Sequence, residues 1–148
     1  MSSEMPADKS IDDHEGILRR IAVGWLSDPS GFPQVIAFYP RKPSISIPED
    51  RGDHDGLSVI REIITEVAIA SVSPTTKKKY HVARLIAHKI FSFDLTIECV
   101  PQDHDPGHSL IPEMNIIDYT KDPDSKKWIQ GRAALLATNC EMAHIVHA

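Results

Sequence analysis

A chain of 148 residues and 16.5 kDa, with 41% hydrophobic and 25% charged residues, is long enough for a real core, and its composition is globular rather than disordered or membrane-embedded. Its net charge of -5 and pI near 5.9 repel a phosphate backbone, so nucleic acid is not an expected partner without a local basic face. Cys99 and Cys140 stand far apart without a CxxC pattern, Met1 to Glu15 is acidic and polar, and no apolar run approaches the roughly 20 residues of a bilayer-spanning helix. The expectation is a cytoplasmic protein with reduced thiols, no secretory signal, no membrane contact and no cofactor, with Cys99 a small hydrophobe in a strand.

The stretch from Met1 to Asp13 lacks periodicity and reads as the core of a flexible tail over residues 1–14. Ile17, Leu18, Ile21, Ala22 and Trp25 recur at helical spacing and predict an opening helix that stops at the Asp28-Pro29-Ser30-Gly31 turn. Gln34 to Tyr39 reads as a strand buried on both sides. Prolines and glycines from Pro40 to Gly56 make a long loop with at most a brief edge strand around Ile45 and Ile47. Leu57 to Arg61 is a strand, and Ile60, Ile63, Ile64 and Val67 then follow the i, i+3, i+4, i+7 pattern of a helix, while their β-branching leaves a strand as the alternative.

Ser73-Pro74 has the chemistry of a helix start, predicting a helix to about Ile90 with Val82, Ile86 and Ile90 buried and Lys77, His81, Arg84 and His88 on an opposing basic face. Asp94 to Val100 alternates as a strand, and Ser109 to Ile111 supplies another before Pro112. Asp122-Pro123-Asp124 opens a last helix to about Asn139, cored by Trp128, Ile129, Ala133, Leu135 and Leu136, with residues 141–148 as a tail. This order predicts a single α+β domain over residues 15–140, with a small mixed sheet packed by two or three helices.

Chemistry is sought first in Pro101 to His108, where Asp103, His104, Asp105 and His108 crowd a Pro-Gly turn. A zinc site there needs three or four ligands and must add Asp103, Asp105, His54 or His81 to the two histidines, whereas a turn with aspartates bonding local backbone N–H groups needs no metal, so no metal is expected. Asp53-His54-Asp55 is a second acid and histidine cluster, read as a surface turn unless a partner across space aligns it. The basic face suits a phosphate or carboxylate, since arginine offers a fork of donors and histidine another. No G-x-S-x-G, P-loop, G-x-G-x-x-G or H-E-x-x-H occurs.

The segments Gly56-Leu57-Ser58-Val59, His81-Val82-Ala83-Arg84 and Asp105 to Asn115 resemble small bacterial proteins to which no activity is assigned, and the resemblance adds Glu113 and Asn115 as polar candidates. The expected function is a non-catalytic module that binds a protein partner or small anionic ligand through His81, Arg84 and His108 on one connected surface, joined by Asp105, Glu113 and Asn115. The alternative is a small enzyme acting on a phosphate- or nucleotide-like substrate, with His108 as acid/base and Arg84 as charge stabiliser.

Overall fold

The computed structural model describes residues 11–26, 33–42 and 52–146. The first tail through Ser10, the 28–31 turn and the Ile45/Ile47 edge strand lie outside the described residues. Among the described residues, six strands form one sheet in the order β4-β5-β2-β1-β3-β6, where β1 is Gly16–Ile21, β2 Leu57–Arg61, β3 His81–Ile86, β4 Glu98–Cys99, β5 His108–Ile111 and β6 Glu141–His144. Four α-helices accompany it: α1 Val67–Ala70, α2 Ala87–Ser92, α3 Ile116–Lys121 and α4 Pro123–Asn139. The α+β class is as expected, but the sheet is antiparallel in every pair rather than mixed, because none of its neighbouring strands is joined by a parallel crossover.

The opening helix is replaced by β1. This strand is one of the two central strands of the sheet and is covered on both sides, so Ile17 and Ile21 enter the main core while Leu18 packs oppositely with Ile60, Ala70 and Val82. Burial on both faces erases the alternation that marks a one-sided strand, and the remaining spacing mimics a helix. A 3-10 turn at Val23–Trp25 follows. The strand expected at Gln34 to Tyr39 is likewise a 3-10 helix, Val35–Phe38, closed by bonds from Ala37 N to Gln34 O and Tyr39 N to Ile36 O. Its consecutive Ala37 and Phe38 are both buried, between Pro33 and Pro40, which deny a strand its full ladder.

Ser73 does cap a turn, its hydroxyl accepting from Thr76 N at 3.2 Å, but the turn ends after one cycle at Lys77, whose φ is 64°. The expected helix to Ile90 is therefore divided into this turn, β3 and the short α2. All six residues of β3 pair with β1, and period two sends His81, Ala83 and Leu85 one way and Val82, Arg84 and Ile86 the other. Val82 and Ile90 are buried as expected, but Ile86 is only half-buried. The helix expected through Ile63 and Ile64 is a turn in which Ile64 and Thr65 both bond back to Arg61 O, with α1 beginning at Val67.

Leu95 and Ile97 are buried and Thr96 and Glu98 exposed, so the predicted alternation holds although only Glu98–Cys99 joins the ladder. The last helix forms as read: Asp122 accepts from Ser125 N at 2.8 Å, Pro123 opens the first turn, and Ile129, Ala133 and Leu136 are buried, while Trp128 and Leu135 are exposed. Residues expected as tails contribute to the fold at both ends. Ile11 is in the core and Asp13 O accepts from His88 N, while Glu141–His144 supplies β6 beside β3.

Candidate functional site

His81 and Arg84 are odd and even members of one strand, so they occupy opposite faces of the sheet. His81 is 2% exposed, with Nδ1 accepting from Val146 N at 2.8 Å; Nε2 then carries the proton and donates to Val23 O at 3.2 Å. Its ring ties the end of the described chain to the turn after β1. Arg84 is saturated by acids, donating to Glu62 at 2.7 and 2.6 Å and to Glu141 at 3.1 Å. These bonds raise the guanidinium above its usual value and hold the Glu62 carboxyl below its ordinary 4.5.

His108 shares a face with Arg84 but not a site. The pairs His108 with Ile60, Ile60 with Leu18, and Leu18 with Arg84 place them at the two ends of one cross-strand row, about 14 Å apart at the usual strand spacing. The structure thus does not bring His81, Arg84 and His108 onto one connected surface, because period two and three intervening strand gaps separate them. His88 is exposed on α2, its ring 6.0 Å from that of His14.

The other candidates divide into structural and exposed groups. Asp53 is buried and accepts from Arg41 N at 2.6 Å and Ser58 N at 3.2 Å, while its carbonyl accepts from Ile116 N, so it anchors the approach to β2. His54 and Asp55 form a neighbouring pair at 2.9 Å. Glu113 accepts from the backbone and hydroxyl of Thr96, and Asn115 caps α3 by accepting from Asp118 N at 2.8 Å. Burial pushes the Cys140 thiol up to about 11, which keeps it protonated and a poor nucleophile near neutrality. Among the described residues, no three His, Cys, Asp or Glu side chains group as a metal-ligand set.

The histidine loop is locked by its own backbone, with Gln102 and Asp105 exchanging two bonds and His108 N donating to Asp105 O. Gly107 lets it approach the turn after β2: an added Cβ would fall 2.7 Å from Thr65 Oγ1 and 3.1 Å from Arg61 O. This approach forms one wall of a cleft of about 460 Å³. Arg20, Lys77, His104 and Asp105 supply its charged or titratable groups, and Ile64, Ala68, Ile69, Val72, Pro74 and Pro106 its apolar lining. Arg20 donates to Asp105 at 3.3 Å and to Ala70 O at 2.7 Å, so its charge is partly balanced within the cleft. Lys77, by contrast, reaches only the Pro74 carbonyl at 3.4 Å among the described residues, and has no acid against it there.

Of the expected residues, therefore, Asp105, His104 and Lys77 converge, while His81, Arg84 and His108 lie elsewhere. Arg20 and Ile69 escaped sequence reasoning because the first falls between the apolar positions of the expected opening helix and the second belongs to no motif. The consecutive isoleucines at Ile63 and Ile64 held the missed signal, since a β-branched pair beside a strand end need not face inward.

The Arg84–Glu62 pair makes a pH prediction. A carboxyl depressed in the fold adds stability above its unfolded value, and this is lost as pH falls through the lower folded value. From about pH 6 to about pH 3, the native protein should lose more stability than Glu62→Gln, by up to about 1 kcal/mol for so accessible a pair, read from urea midpoints. Parallel pH profiles would show that the pair contributes nothing. No protein-family model, curated protein or solved structure matches this chain.

Proposed function

We propose that this protein is a binding module whose cleft, itself non-catalytic, takes an acidic, apolar segment of a partner protein. The observation that carries this is the apolar surface around the cleft: Ile64 is 47% and Ile69 62% exposed on its wall, and Ile63 is 74% exposed immediately before Ile64. Apolar side chains clustered at a rim with charge beside them mark interaction surfaces. The lysine run Lys77-Lys78-Lys79 follows the wall residue Val72 through a turn closed by the bridge between Val72 and Lys79, placing positive charge at the same edge. A small ligand would be mostly enclosed by its pocket. Here Ile63 continues the apolar surface beyond the cleft, favouring a chain that lies across it and presents carboxylates to the lysines.

The probe is a blocked octapeptide alternating aspartate and leucine, titrated into isotopically labelled protein and followed by amide chemical shifts. Shifts should centre on Ile64, Ile69 and Lys77, disappear with Ile69→Asp, weaken with Lys77→Glu, and fall when asparagine replaces aspartate. An unperturbed spectrum, or shifts centred away from the cleft, would overturn the proposal.

A further inference from the structure

A second feature lies outside the cleft, on the sheet itself. Ser58 of β2 and His108 of β5 are on adjacent antiparallel strands, with Ser58 Oγ 3.1 Å from His108 Nε2. The other ring nitrogen, Nδ1, is 3.0 Å from the carbonyl oxygen of Val100. A carbonyl oxygen only accepts, so Nδ1 carries the proton, Nε2 presents its lone pair, and the Ser58 hydroxyl donates to it. This is the hydrogen-bond order of a nucleophile, a general base and a group that orients the base.

We propose that Ser58 and His108 form a nucleophile and base pair that accepts acyl groups from small aryl esters. Both side chains are partly exposed, so an ester can approach. The backbone under Ser58 is held on both sides, its carbonyl accepting from Arg19 Nη1 at 2.9 Å and its N–H donating to Asp53. A reacting group held on strands is placed more firmly than one on a loop. In the reaction, Ser58 Oγ attacks the ester carbonyl carbon as its proton passes to Nε2. The carbon–oxygen bond to the aryl group breaks, the phenol leaves with that proton, and the acyl group remains on Ser58. Water, losing its proton to Nε2, then attacks the acyl carbon, and the carboxylic acid departs as the proton returns to Oγ. The Val100 carbonyl orients the ring but brings no full negative charge to offset an imidazolium, so the pair suits the good leaving group of an aryl ester rather than an alkyl ester or amide.

The test mixes the full chain with para-nitrophenyl acetate, following phenol release and locating the acetyl group by peptide mass mapping. The expected result is a burst of phenol with acetyl on Ser58, absent from Ser58→Ala and slowed by about 10²-fold or more in His108→Gln. Circular dichroism and melting curves establish that both variants fold. Should Ser58→Ala unfold, Ser58→Cys keeps a nucleophile in place and should carry the acetyl group as a thioester. Acetyl found only on lysines, or a burst unchanged by His108→Gln, would reduce the contact to a cross-strand hydrogen bond. Because Ile69→Asp changes the cleft alone, it should leave this burst intact, so each proposal can fail without the other.

Discussion

Replacing Arg19 with methionine is expected to destabilise the protein by about 3–5 kcal/mol, because two buried hydrogen bonds from a charged donor, each worth about 1.5–3 kcal/mol, are lost. Arg19 lies on the core side of β1 and is buried, with Nε donating to Ala37 O at 3.1 Å and Nη1 to Ser58 O at 2.9 Å. Burial pulls the guanidinium below its usual value, and the nearby Asp53 opposes that by favouring the charged form. Methionine would fill much of the volume, yet two carbonyls would lose their donor and buried Asp53 a neighbouring positive charge. The loss should therefore far exceed that of an exposed arginine, whose ion pairs contribute about 0–1 kcal/mol. Urea denaturation checks it. A change below about 1 kcal/mol would mean that water or a shifted side chain replaces the guanidinium. Arg19→Lys keeps the charge but not the fork of donors, and should fall between the two.

Phe38→Ala is expected to cost a further, separately measured 3–5 kcal/mol or so, from lost burial and the cavity left behind. Phe38 is fully buried in the cluster that also holds Ile17, Leu57, Ile129 and Ala133, so it joins the sheet to α4. The two sites are linked, because Arg19 bonds the carbonyl of Ala37, the residue before Phe38. A double-mutant cycle should give a coupling of about 0.5–3 kcal/mol, since either change loosens the turn on which the other depends. Strict additivity would show that the turn holds its shape without Arg19. A near-zero cost for Phe38→Ala would mean that the core closes over the gap.

The adjacent arginines of β1 show where local pattern stops being informative. Read alone, Arg19 and Arg20 belong on the wet side of an amphipathic helix, because charge is usually solvated. Their guanidinium groups instead reach the carbonyls of residues 37, 58 and 70 and the carboxylate of Asp105. Ile63 likewise shares one helical pattern with Ile60 in the sequence, yet one is exposed and the other buried. Which of them faces water depends on what covers the sheet, and that is settled by contacts distant along the chain.

What the sequence determined by itself is the set of features with short-range causes. The cap and proline at Asp122-Pro123 start α4, Ser73 closes a turn with its own hydroxyl, and Leu57 to Arg61 and Ser109 to Ile111 extend as strands. Length and composition were enough for a real core, and the order of helical and strand segments for the α+β class. The tertiary structure decided whether the turn at Ser73 continued as a helix, and whether β1 and β3 became strands, because their ladder bonds come only from each other and from β2 and β6. It also decided the candidate sites. A shift from period 3.6 to period two parted His81 from Arg84, while the approach of the histidine loop to the turn after β2 joined Asp105 to Arg20. Hydrogen bonds between neighbours in sequence can be read from residue types, but strand pairing and side-chain convergence depend on the whole chain folding at once.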